Sequence, residues 1–180
     1  MTTRRPFDNT TLHKLCEEQG DLTEQVKEAL KYDFHRANLE TKNTLGCTPL
    51  MSAVCSRNPG VVQVLIAHNA DMETRGGGPC SDTALITAAT YGNAEIAGIL
   101  LRAGAERNTK GNGGATALWA AAVTAAGDDE IDHTIDIVQT LLAFDCDKTI
   151  PDDYGRLAVT QVLNCKDEAK KKKLVQLLSP

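Results

Sequence analysis

Apolar residues in this chain recur at helical intervals, in short runs that come in pairs. The clearest pair lies in residues 83–108, TALITAATYGNAEIAGILLRAGAERN. Leu85, Ala88 and Ala89 keep the i, i+3, i+4 spacing of one helix face, and Ile96, Ile99 and Leu100 repeat it after an interruption at Gly92. Thr83 is a residue type that caps a helix N-terminus through its hydroxyl. Gly92 and Gly104 stand where each helix ends and a positive φ is cheapest for glycine. The pattern therefore predicts a helix hairpin, all-α, with one apolar face per helix.

The hairpin recurs. Thr116-Ala117-Leu118-Trp119-Ala120-Ala121-Ala122 follows Thr83 by 33 residues, and Thr48-Pro49-Leu50-Met51-Ser52-Ala53-Val54 precedes it by 35. Thr10-Thr11-Leu12-His13 opens an earlier unit, with an amphipathic run through Val26, Leu30 and Phe34, and Leu157-Ala158-Val159-Thr160 opens a later one. A period near 33 with this opening resembles the ankyrin repeat, whose units begin T-P-L-H-x-A. The resemblance spans about residues 10–178. It implies an all-α solenoid of about five helix-turn-helix repeats, at 10–40, 48–73, 83–108, 116–149 and 157–178, following a tail at 1–9 and joined by β-hairpin-like fingers. The first and last units are expected to act as caps, because a terminal repeat has one stacked face and one in water.

Departures from the pattern locate the irregular parts. Arg57-Asn58 and Asn69 stand where glycine is usual, and since Asn is the next best residue for a left-handed turn, Asn58 and Asn69 are expected to keep the turns. Gly76, Gly77 and Gly78 lengthen the second finger and make it costly to order. The step from Thr116 to Leu157 is 41 residues, so the fourth unit carries an insertion around Ala125 to His133. This reads as a first helix lengthened to Ala126, an acidic loop, and a second helix starting near Ile135. The loop lacks the alternating D-x-D-x-D-G pattern of a calcium-binding loop. Cys146, at the usual closing Ala, is expected to be small and buried. The last helix, from Asp167 to Leu178, is expected to turn Lys170 to Lys173 to water.

Hydrophobic residues make up 42 % of the 180, but aromatic residues only 4 %, which suits close-packed helices built from Ala, Leu, Ile and Val. A formal net charge of -5 opposes nucleic acid as a generic partner. No apolar run suggests a signal peptide or a membrane span. A cytoplasmic location follows as the expectation, with the lysine run leaving a nuclear address open, and the six cysteines are expected as thiols. Cys47, Cys55 and Cys80 stand close enough in the repeat scheme to raise a zinc site. Their long spacings instead favour independent thiols.

Catalytic chemistry has no foothold in the pattern: there is no phosphate loop, H-E-x-x-H, C-x-x-C or nucleophile elbow. No catalytic residue, cofactor or metal is expected. His13 takes the place of the family histidine, for which the resemblance implies a structural hydrogen bond. Asn108 resembles the asparagine that hydroxylases modify in many such repeats, although the resemblance also implies a structural bond to finger backbone. What the family implies about function is binding of another protein or peptide on a concave surface made by finger tips and the exposed side of each first helix, by a chain expected to be monomeric. Carried onto this sequence, the contact candidates are Leu45, Arg75, Asp82, Tyr91, Asn112, Trp119, Val123 and Tyr154. Tyr91 and Trp119 are the aromatic anchors, Trp119 with an equal claim to be core. The alternative is an assembly scaffold acting through the ends or convex face of the stack.

Overall fold

A computed structural model describes residues 9–18, 20–31, 38–77, 81–127 and 132–179 of the chain. The N-terminal tail, the segment from Phe34 to Ala37, the tip at Pro79 and Cys80 and the acidic residues 128–131 lie outside the described residues. Among the described residues ten α-helices pair into five hairpins: α1 (Asn9–Glu17) with α2 (Thr23–Ala29), α3 (Pro49–Cys55) with α4 (Pro59–Ala67), α5 (Ala84–Thr90) with α6 (Ala94–Arg102), α7 (Ala117–Gly127) with α8 (Asp132–Ala143), and α9 (Ala158–Gln161) with α10 (Glu168–Leu178). The odd-numbered helices pack in a row, α1 on α3 on α5 on α7 on α9, and the even-numbered ones in a second row.

Periodic threonines set where the odd helices start. Thr48, Thr83 and Thr116 each accept a hydrogen bond at the side-chain oxygen, from the backbone N–H of Met51 (3.3 Å), Ile86 (3.4 Å) and Trp119 (3.2 Å). Pro49 and Pro59 occupy first helical positions, where a missing N–H costs nothing. The fifth hairpin has Leu157 in the cap position, and with no side-chain acceptor there α9 lasts only four residues before a 3-10 turn, Val162–Asn164.

One continuous core runs through the stack from Leu12 to Leu178. Its first-helix layer is small: Ala53, Ala88, Ala89, Ala121 and Ala122 are all fully buried, allowing the odd helices to approach closely. The second-helix layer supplies bulk through Val61, Leu65, Ile96, Leu100, Ile137 and Leu141. Cys146 is buried at the expected closing position.

Three expectations about the helices need correction. Asn58 does not adopt the left-handed turn; Arg57 does, at φ 54°, in register with Gly92 at φ 65°. Asn58 instead caps α4, its Oδ1 accepting from Val61 N at 3.2 Å, as Asn93 Oδ1 accepts from Ile96 N at 3.0 Å. A position that must cap a helix leaves the turn to its predecessor, so Arg57 bears the strained φ. Asn69, at φ 66°, does take the left-handed role, and Asp145 does so at φ 56°. The second correction is Lys170, which is buried rather than turned to water, while Lys172 and Lys173 are exposed. Its spacing of four from Leu174, and of eight from Leu178, puts it on their face of α10. The second helix of the fourth hairpin also starts three residues before Ile135, at Asp132.

Candidate functional site

Four connections project between the hairpins, at residues 41–47, 74–82, 109–115 and 150–156. Among the described residues they form turns, with no strand. Each of the first, third and fourth closes through one antiparallel backbone pair: Asn43 N to Cys47 O (2.9 Å), Gly111 N to Ala115 O (2.8 Å) and Asp152 N to Arg156 O (3.0 Å). The arms are too short for a longer ladder, so these fingers are less hairpin-like than expected.

Side chains build two of them. Asn43 Oδ1 accepts from the N–H groups of Leu45 and Cys47, both at 2.9 Å, and Asp152 Oδ1 accepts from Tyr154 N (3.0 Å) and Arg156 N (2.8 Å). Glycine replaces that residue in the third finger, and Asp82 reaches in from the second to accept from Asn112 N at 2.7 Å. A side chain at Gly111 would put its Cβ 2.2 Å from Asp82 Oδ1, so it would displace the carboxylate that holds Asn112 N. Neighbouring fingers also bond directly, Gly77 N to Gly46 O at 2.8 Å and Asp153 N to Gly113 O at 3.0 Å.

A second ladder ties the bases of the fingers together. Glu40 Oε1 accepts from Asp71 N (2.8 Å), Glu73 Oε1 from Glu106 N (2.9 Å) and Asn108 Oδ1 from Asp147 N (2.9 Å), three equivalent positions each bonding the next repeat. Asn108 thus bonds the backbone of the next repeat at Asp147, outside the fingers, rather than finger backbone.

The fingers lie over the odd helices. His13 Nε2–H donates to Cys47 O at 3.2 Å, and the Arg156 guanidinium sits 5.3 Å from the Trp119 ring centre and 5.0 Å from that of Tyr154. Arg156 also pairs with the buried carboxylate of Asp152 at 2.7 Å. Burial pulls the Asp152 carboxyl upward, but hydrogen bonds from the Arg156 backbone and guanidinium and from Tyr154 outweigh it and hold the group below the usual carboxylate range.

The sequence candidates fall as follows. Leu45, Tyr91, Val123 and Tyr154 are exposed, at 59, 46, 40 and 78 % respectively. Arg75 and Asn112 are exposed on the second and third fingers, and Arg75 Nη2 donates to the Lys110 carbonyl. Asp82 is half-buried, its carboxylate occupied by Asn112 N. Trp119 is half-buried beneath Arg156, and its indole N–H is shielded from solvent with no acceptor. Arg57, read from the sequence only as part of a departure from the usual glycine, donates from Nη2 to Tyr91 O at 2.9 Å and holds the end of α5.

Tyr91 meets the thiol of Cys55 from the preceding repeat. Burial raises the Cys55 thiol against the opposing hydrogen bond from Tyr91, and the Tyr91 hydroxyl is raised chiefly by the charge that Cys55 would carry. Cys16, Cys55, Cys146 and Cys165 are free thiols, whereas Cys47 is disulfide-bonded, contrary to the expectation of six thiols. The neighbouring backbone bond between Gly46 and Gly77 brings the second finger beside Cys47. Among the described residues, no group of three or more His, Cys, Asp or Glu side chains is placed to hold a metal ion. Among them also, no helix is long and apolar enough to cross a membrane.

Stacked hairpins with capped first helices and inter-repeat fingers define a helical-repeat solenoid. A family model described as ankyrin repeats (3 copies) matches residues 1–76 and 73–152, and the chain belongs to the ankyrin-repeat family. It is also similar to the ankyrin repeat and KH domain-containing protein mask-1 of Caenorhabditis elegans, 35 % identical over 99 residues. That match covers 55 % of this chain and 4 % of the relative, so the chain spans only a small part of the curated relative's length. Repeats of this family are generally protein–protein interaction modules.

Proposed function

We propose that this chain is a noncatalytic, monomeric protein-interaction module that holds a segment of a partner protein on the face formed by its fingers and first helices. One observation carries the reading. Of the five large hydrophobic side chains exposed among the described residues, four lie on fingers, on a first helix or just past the end of one: Leu45, Tyr91, Val123 and Tyr154. Each is apolar surface that gives up water on binding, worth about 25 cal/mol per Å² removed. The scaffold beneath them is rigidly bonded, so little ordering accompanies docking. The partner is a protein and neither nucleic acid nor membrane, and the Cys47 disulfide removes the free-thiol argument for a cytoplasmic location.

Site-specific photocrosslinking tests this reading. A photoreactive phenylalanine placed at Val123 or Leu45 is expected to join the chain to a discrete partner in extract of the source organism, whereas one at exposed Gln63 or Gln139 on the second helices gives no such adduct. A partner captured from the second-helix positions alone would refute the finger-face reading and favour an assembly role.

A further inference from the structure

The second finger differs from the others in what holds it. The first, third and fourth each close through a backbone pair of their own, whereas the described part of the second is held from outside. Gly77 N donates to Gly46 O at 2.8 Å, and Arg75 Nη2 donates to the Lys110 carbonyl. Both bonds reach neighbouring fingers. The first depends on close approach, because a Cβ at Gly46 would lie 2.7 Å from the Gly77 backbone. Three successive glycines, Gly76 to Gly78, give this finger more conformational freedom to lose on ordering than its neighbours have. Two surface hydrogen bonds offset little of that cost.

A covalent tie supplies the rest. Cys47, next to Gly46, is disulfide-bonded. Of the six cysteines in the chain, Cys16, Cys55, Cys146 and Cys165 are free thiols. Cys80, in the second finger, lies outside the described residues and is the one cysteine left to pair with Cys47. Chain length allows it: Cys80 follows Gly77, which already meets Gly46, by three residues, a reach of up to about 10 Å. The Cys47 end is firmly seated. It is 4 % exposed and packs with Met51, its carbonyl accepts from His13 Nε2 (3.2 Å) and Asn43 N (2.9 Å), and its N–H donates to Asn43 Oδ1 at 2.9 Å. Resting on the interaction reading above, we infer that a Cys47–Cys80 disulfide clamps the second finger to the first and makes the partner-binding face redox-sensitive. With the bond closed, the finger and its Arg75 are held before a partner arrives, so docking has less ordering to do. A dithiol reductant opens the bond in two exchanges. Its first thiolate bonds one sulfur and displaces the other as a thiolate, its second thiolate displaces the first, and two electrons and two protons pass to the cysteine pair. The glycine-rich finger is then left to its two hydrogen bonds, and affinity falls.

Thiol mapping and hydrogen exchange on the full chain test the inference without a partner. After equilibration with oxidised glutathione, proteolysis under non-reducing conditions is expected to return the segments containing Cys47 and Cys80 joined. Dithiothreitol is expected to speed amide exchange in residues 74–77 at least about tenfold while the circular dichroism spectrum stays that of the folded stack. Cys80→Ser is expected to exchange at the fast rate with or without reductant. Cys47 joined to another cysteine, Cys47 and Cys80 both alkylated in the oxidised protein, or exchange indifferent to reductant would overturn it. The photocrosslinker at Leu45 carries the test to binding and separates the two readings. Reductant is expected to lower its adduct yield at least about tenfold in the parent and to leave the yield of Cys80→Ser unchanged. An adduct that ignores reductant in the parent sinks the redox inference alone, and absence of any adduct under oxidising conditions sinks the interaction reading itself.

Discussion

Truncating Leu100 to alanine probes the stack where it is best built. Leu100 is fully buried on α6, which packs against α4, α5 and α8. Removing its three-carbon isopropyl group forfeits about 2.4 kcal/mol of transfer free energy at ~0.8 per methylene. The residual cavity adds about 24 cal/mol per Å³, roughly 1 kcal/mol for a partly relaxed site, so the expected cost is about 3–4 kcal/mol. In a protein of this size that lowers the melting temperature by about 6–16 °C. Lys171→Ala is the control: its side chain pairs at 3.3 Å with Glu168, which is 81 % exposed, on the terminal helix. An exposed pair of that kind is worth under ~0.5 kcal/mol. Urea denaturation followed by far-ultraviolet circular dichroism measures both. A substantially shallower slope for Leu100→Ala would mean the repeats have uncoupled, as one-dimensional stacks can. Equal midpoints for the two variants would refute the repeat assignment.

Acid should loosen the fourth finger. The Asp152 carboxyl titrates below its unfolded value near 3.9, so the stability it contributes is complete above that pH and is lost as pH falls through the lower folded value. Trp119 fluorescence, which reports the Arg156 stack, is expected to change below about pH 4 in the parent and to lose that transition in Asp152→Asn; an unaltered profile contradicts the assignment. Alkylation by iodoacetamide at pH 8 should spare Cys16, whose thiol burial and Glu17 push up to about 12, and Cys146, raised by burial to about 11 against the pull of Arg107. Half-buried Cys55 is expected to react first, and prior labelling of Cys16 in native protein would show that the core is open. Asn108→Ala removes the acceptor for Asp147 N and should cost about 0.5–1.5 kcal/mol by the same urea assay. No loss would mean that this rung of the ladder is ornamental.

Much of the fold was legible because the residues that build a repeat are local signals. Thr48, Thr83 and Thr116 announce helix starts, and the buried sets around Leu50, Leu85 and Leu118 follow at helical spacing. Legibility failed where one residue type serves two roles. Asn58 suits both a left-handed turn and an N-cap, and only the packed hairpin shows that capping wins and Arg57 takes the positive φ. Lys170 was misread because a charged run suggests water, yet its i, i+4 relation to Leu174 places it inside. For the candidate site, exposure of Leu45, Tyr91, Val123 and Tyr154 followed from their variable places in the repeat. The engagement of Asp82 with Asn112 N and the stacking of Arg156 on Trp119 are contacts between different fingers and helices, and no local pattern encodes them.

The most direct test of the finger face as a binding site is calorimetric titration of the crosslinked partner, once identified, into the parent chain and into Tyr91→Ala and Arg75→Ala variants that keep the parent melting temperature. The account predicts at least a tenfold loss of affinity, about 1.4 kcal/mol, in one or both variants, since interface energy concentrates in aromatic and arginine anchors. Unchanged affinity in both would contradict it.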